Sequence, residues 1–146
     1  MEASQSLASE PAAVQRGGRG FGYTAVRLIF GLWFTYAGIE YFLPYDLQPL
    51  GTTPLAQEFT LALIHSGLMV IVKLIELVAG VLILANRAVL PAALAALPIS
   101  VVIAYWNIVL DPAPPAGYFF GIVTPLFNLA LLRPYRERLM GLMIWR

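Results

Sequence analysis

Four apolar runs, at residues 24–43, 59–85, 88–110 and 116–132, constrain this chain more than any other feature. Roughly 20 predominantly apolar residues are needed to carry a helix across the hydrocarbon core of a bilayer. Polar or proline-rich punctuation bounds each run: "LPYDLQPLGTTPLAQE" after the first, "NR" after the second and "DPAPPAG" after the third. With 60% of 146 residues hydrophobic and only 12% charged, the bilayer rather than water is the expected solvent. The fold class that follows is all-α, a four-transmembrane-helix bundle with a short interfacial C-terminal helix. It divides into a flexible cytoplasmic N-terminal tail (1–22), a membrane domain (23–133) and an amphipathic interfacial segment (134–146).

Charge placement predicts the orientation. Arg16, Arg19, Arg27, Arg87, Arg133, Arg136, Arg138 and Arg146 fall at the two ends of the chain and in the second connection. The other two connections hold Asp46, Glu58 and Asp111 and no Lys or Arg. The positive-inside rule then places both termini in the cytoplasm. Trp33, Tyr36, Tyr41, Tyr45, Tyr105, Trp106, Tyr118 and Tyr135 fall mostly towards the outer ends of the runs, where an interfacial aromatic belt belongs. The first 22 residues lack the apolar core of a signal peptide. "RGGRG" reads as a flexible basic linker, and "RPYRERLMGLMIWR" as a segment lying along the inner surface or docking on a partner subunit.

One run carries an anomaly. "VIVKLIELVAGVLIL" places Lys73 and Glu76 inside an otherwise apolar span. Sixteen Leu, Ile, Val and Phe residues between Phe59 and Leu84 favour insertion by roughly 5–10 kcal/mol. Each charge near the midplane returns about 2.5–3.5 kcal/mol, so the pair must face protein and be paired there. At about 100° per residue His65, Met69, Lys73, Glu76 and Gly80 share one face of a continuous helix. In the first run Arg27, Gly31, Thr35 and Gly38 form a matching face of small residues, which allows close approach. Arg27 is therefore the expected partner of Glu76. Glu40 falls on the opposite face and reads as solvated. Asn107 and Asn128, in the third and fourth runs, are expected to bond across helices.

Several chemistries are excluded by composition. Without cysteine there is no disulfide, thiolate metal site or Fe–S cluster. His65 is the only histidine, so a bis-histidine haem is out of reach, and neither a metal site nor a nucleic-acid partner is expected. Arg27, Tyr41, His65, Lys73, Glu76, Asn107 and Asn128 remain as ligand-binding or proton-relay candidates. Together they could serve as a clamp that fixes helix register, as a redox or proton site, or as a transport path. A donor such as Lys73, His65 or Tyr41 beside an acceptor such as Glu76, in an apolar pocket, suits a quinone head group.

The segments "VRLIFGLWFTYAGIEYF" (26–42) and "KLIELVAGVLIL" (73–84) resemble the first two helices of the DoxX-like integral membrane proteins, with Arg27, Gly31, Gly38, Glu76 and Gly80 matching the pattern. Tyr41 and Asn86 depart from it, where lysine and glycine are common. The resemblance implies a four-helix bundle in the bacterial inner membrane, in the role of an accessory or small subunit of a quinone-linked redox complex alongside other membrane subunits. Quinone is then the expected cofactor, with none attached covalently. Arg27 and Glu76 are carried over as a polar core. A purely structural subunit and a small-solute permease are the alternatives.

Overall fold

The computed structural model describes residues 11–45 and 48–143. Its elements run α1 (Pro11–Glu40), α2 (Pro54–His65), α3 (Leu68–Leu84), α4 (Val89–Tyr105) continuing into a π turn (Trp106–Leu110), α5 (Ala116–Leu132), a 3₁₀ turn (Arg133–Tyr135) and α6 (Arg136–Met143). No strand occurs among the described residues. Asp46, Arg146 and residues 1–10, part of the expected tail, lie outside them.

Of the four expected spans the structure shows two outright: among the described residues two stretches are each long and apolar enough to cross a bilayer, Val89–Leu110 and Ala116–Gly141. The second apolar run is not one helix: α2 and α3 meet at an angle of 86°, and they make a third span only if the bent pair is counted together. Ser66 and Gly67 cause the break. Gly67 adopts φ 77°, a left-handed conformation that glycine enters without a Cβ penalty, and the Ser66 hydroxyl donates to Leu63 O at 3.1 Å, closing the end of α2. At the start of α2 the Thr53 hydroxyl accepts from Ala56 N at 3.2 Å and Pro54 occupies the first turn, so α2 is capped as a separate element.

The first run is diluted by Arg27, Glu40 and interspersed hydroxyl residues. Its helix also starts earlier than expected, at Pro11, so "RGGRG" belongs to α1 and is not a linker. Proline is pre-set for a first helical turn, and the alanines that follow it favour propagation into the apolar segment. At the other end of the chain Tyr135 and Leu139 pack against the core, which ties the start of α6 to the bundle.

The antiparallel pair α1 and α3 forms the spine. A Cβ built at Gly38 would lie 2.5 Å from Leu77 N, and one at Gly80 would lie 2.4 Å from Thr35 N. These glycines let the two backbones touch. Phe30 and Phe34 stack at 4.2 Å between ring centroids and, with Ile83, Ala93, Ala96 and Leu131, fill the core where α1, α3, α4 and α5 converge. Outward, Ile29, Leu32, Ile71, Val78, Val101, Ile122 and Leu126 are exposed apolar side chains. A surface of this kind suits acyl chains. The molecule is a membrane protein.

Candidate functional site

Between the ends of α1, α3 and α4 that lie nearest α2 is a cavity of about 480 Å³. α2 closes one side of it through Phe59, Thr60 and Leu63, and α5 contributes Phe120. Two anchors fix α2 there. Trp106 Nε1 donates to Thr60 Oγ1 at 3.2 Å, and Asp111 accepts from Thr52 N at 2.9 Å, Thr53 N at 3.1 Å and the Thr52 hydroxyl. Thr53 also donates through its hydroxyl to Leu110 O. Those hydrogen bonds to the ionised form, the Thr52 hydroxyl first, hold the Asp111 carboxyl below the usual carboxylate range against the opposing effect of desolvation.

Lys73 and Glu76 lie in the wall of this cavity, buried at 7% and 3% relative exposure. Lys73 Nζ is 2.9 Å from Glu76 Oε2 and donates to Ala37 O at 3.0 Å. Ala37 is in the last turn of α1, whose terminal carbonyls have no partner within the helix. The close approach at Gly38 brings that carbonyl within reach.

Arg27 does not meet Glu76, contrary to the expectation. Its Nη1 donates to Ile83 O and Leu84 O, both at 2.7 Å, and so caps the far end of α3. The register explains this. Gly31 lies against Leu84, Gly80 against Thr35 and Gly38 against Leu77, so Glu76 is level with the end of α1, about 18 Å along the helix from Arg27.

The other candidates separate. His65 ends α2, is exposed, and has left the face it would share with Lys73 in a continuous helix, because the bend intervenes. Tyr41 lies just beyond α1, half-buried, with its ring edge-on to Phe42 at 5.5 Å, and is not part of the cavity wall. Asn107 lines the cavity from the π turn, but its amide donates within its own helix, to Ile103 O at 2.8 Å, rather than across helices. Asn128 does bond across helices, from Nδ2 to Ser100 Oγ at 3.0 Å, in the α4–α5 core away from the cavity. Among the described residues no group of three His, Cys, Asp or Glu side chains could hold a metal ion.

Glu40, Gln48, Thr60 and Trp106 also line the cavity, and none of them was singled out as a site residue from sequence. Glu40 is half-buried there rather than solvated. The Ser66–Gly67 pair inside the apolar run was the available signal, because a break there folds α2 back over the ends of α1 and α4.

The DoxX family model matches residues 22–109, more than half of the chain, from within α1 to the π turn. Nothing among curated proteins or solved structures matches.

Proposed function

Because the chain belongs to the DoxX family, we propose that it is an accessory or small subunit of a quinone-linked redox complex in the bacterial inner membrane, holding a quinone-type molecule in the cavity beside Lys73 and Glu76. The cavity is the observation that supports this reading. Its volume of about 480 Å³ suits a small amphiphile, and its wall is apolar except for a few polar groups that would orient a head group. A quinone would supply two-electron carriage within the bilayer. The Lys73–Glu76 pair would hold its polar head, and the apolar walls from α3 and α4 would take the start of its tail.

Four membrane-crossing segments complete the proposal, with α1 as the first and the bent α2–α3 pair as the second. α1 packs along α3 and exposes Leu28, Ile29, Leu32 and Ile39, as a lipid-facing helix would. With the arginines of both chain ends cytoplasmic, the cavity faces the opposite leaflet and α2 lies along that surface.

A structural subunit is the second reading. A separate groove of about 410 Å³ between α3 and α4, lined by Ile71, Leu74, Val78, Pro91 and Ala95, favours it by offering an apolar seat for another helix. Purification in mild detergent distinguishes the two. Co-purifying subunits that carry a redox cofactor support the first reading, and a defined partner lacking both cofactor and quinone supports the second. Solute uptake by the protein alone in liposomes would overturn both. In the intact complex, Glu76→Gln lowers quinone-dependent turnover under the first reading, whereas under the second it weakens assembly and leaves the turnover of assembled complex unchanged.

A further inference from the structure

The groove between α3 and α4 lies apart from the cavity and shares none of its lining residues. Its floor is formed by two small buried side chains, Ala79 and Ala92, and its rim by the exposed Leu74, Val78 and Pro91. Along α3 the lining runs from Leu82 to Ile71, about 16 Å at roughly 1.5 Å per residue. That is the depth of one leaflet, half of a hydrocarbon core about 30 Å thick. A volume of about 410 Å³ spread over that length leaves a channel about 5–6 Å across. One extended hydrocarbon chain fits such a width, whereas a helix, about 10–12 Å across with its side chains, would only lie over it.

The channel has one cationic end. Arg87 N donates to Leu82 O at 2.9 Å, so the α3–α4 turn closes directly beside the Leu82 end of the groove. Asn86 and Ala88 flank Arg87 with φ of 54° and 49°, which makes that turn tight. The Arg87 side chain is exposed and has no hydrogen bond or ion pair among the described residues. The last carbonyls of α3, which would repel an anion, are covered, because Arg27 donates to Ile83 O and Leu84 O. No acidic residue stands between Glu76 and Asp111 in the sequence, and Asp111 is at the opposite end of α4.

We infer that the groove holds a glycerophospholipid of the leaflet on the Arg87 side, one acyl chain lying between α3 and α4 and the phosphate on the Arg87 guanidinium. An apolar slot as long as one leaflet takes the chain, and the guanidinium at its end matches a phosphate in charge and in fork geometry. The assignment is independent of the cavity and of its ligand.

Lipid titration of the delipidated full chain in detergent, followed by native mass spectrometry, tests this. The probes are phosphatidylglycerol and diacylglycerol with the same palmitoyl and oleoyl chains. Phosphatidylglycerol is expected to bind the wild type about fivefold tighter, to lose that margin in Arg87→Gln and to keep most of it in Arg87→Lys. Ala95→Phe, at an exposed position in the groove wall, should weaken binding of both lipids about tenfold at an unchanged melting temperature. Equal affinity for the two lipids in the wild type, an undiminished margin in Arg87→Gln, or wild-type binding by Ala95→Phe overturns the inference. So does cross-linking of Ala95→Cys, the chain's only cysteine, to another polypeptide in native membranes, which would make the groove a seat for protein.

Discussion

Lys73 Nζ donates to the carbonyl oxygen of Ala37 at 3.0 Å, which makes a lysine of α3 the cap of the last turn of α1. Arg27 does the converse. It extends from α1 to the carbonyls of Ile83 and Leu84 at the end of α3. In this antiparallel pair each helix therefore supplies a cation to the other's C-terminus, where orphan carbonyls and the helix dipole favour positive charge. Lys73 is thus accounted for as part of the α1–α3 joint, with Glu76 balancing its charge. The same pair then forms part of the cavity wall.

Breaking that balance is expected to cost more than removing it. Lys73→Met alone leaves Glu76 buried without its counter-charge and should destabilise by about 3–5 kcal/mol. The double variant Lys73→Met/Glu76→Leu should recover much of the loss, since apolar side chains fill a buried ion-pair site well. Thermal unfolding in detergent checks the order. A single variant as stable as the wild type would contradict the arrangement.

Arg27→Ala removes both bonds to the end of α3. The expected loss is about 1.5–3 kcal/mol, the usual range for hydrogen bonds from a charged donor. Arg27→Lys should retain part of it, because an ammonium can reach one carbonyl but lacks the guanidinium geometry. The same unfolding measurement on the two variants separates lost bonding from lost charge.

The helix contact offers a packing test. A Cβ at Gly80 would stand 2.4 Å from Thr35 N, so Gly80→Ala should force α1 and α3 apart at a cost of about 1–3 kcal/mol. Gly22→Ala meets nothing within 4 Å and should be neutral or mildly stabilising. A shared melting temperature for the two variants would refute the close α1–α3 approach.

Acidification should release α2 through Asp111. Its folded carboxyl titrates below the usual carboxylate range, so its contribution is fully present above the unfolded-state value and is lost as pH falls through the depressed folded value. Amide exchange at Thr52 and Thr53, which donate to Asp111, should therefore rise only in strongly acidic solution. Asp111→Asn should show fast exchange there already at neutral pH.

Much of this architecture is legible in the sequence, and the exceptions are physical. α5 covers residues 116–132 as expected, because the proline-rich turn before it and Arg133-Pro134 after it mark its ends plainly. The protein-facing location of Lys73 and Glu76 follows from the cost of charge in lipid. The bend at Ser66–Gly67 does not follow from apolarity, since a run of Leu, Ile and Val is equally apolar straight or folded back. That bend removes His65 from the expected face and brings Thr60 and Phe59 into the cavity wall instead. Opposite charge alone pairs Arg27 with Glu76, whereas glycine packing sets a register that separates them and brings Arg27 to the end of α3. Asn86 adopts φ 54°, a conformation asparagine tolerates better than most residues.

The central claim is that the cavity beside Lys73 and Glu76 receives a ligand, and Trp33 and Trp106 in its wall report on it directly. Titration of the purified protein with a short-tailed quinone, followed by tryptophan emission, should give saturable quenching in the wild type. Saturation should disappear in Val72→Phe, which fills the cavity, at an unchanged melting temperature. Quenching that never saturates, or that saturates identically in Val72→Phe, would contradict the account.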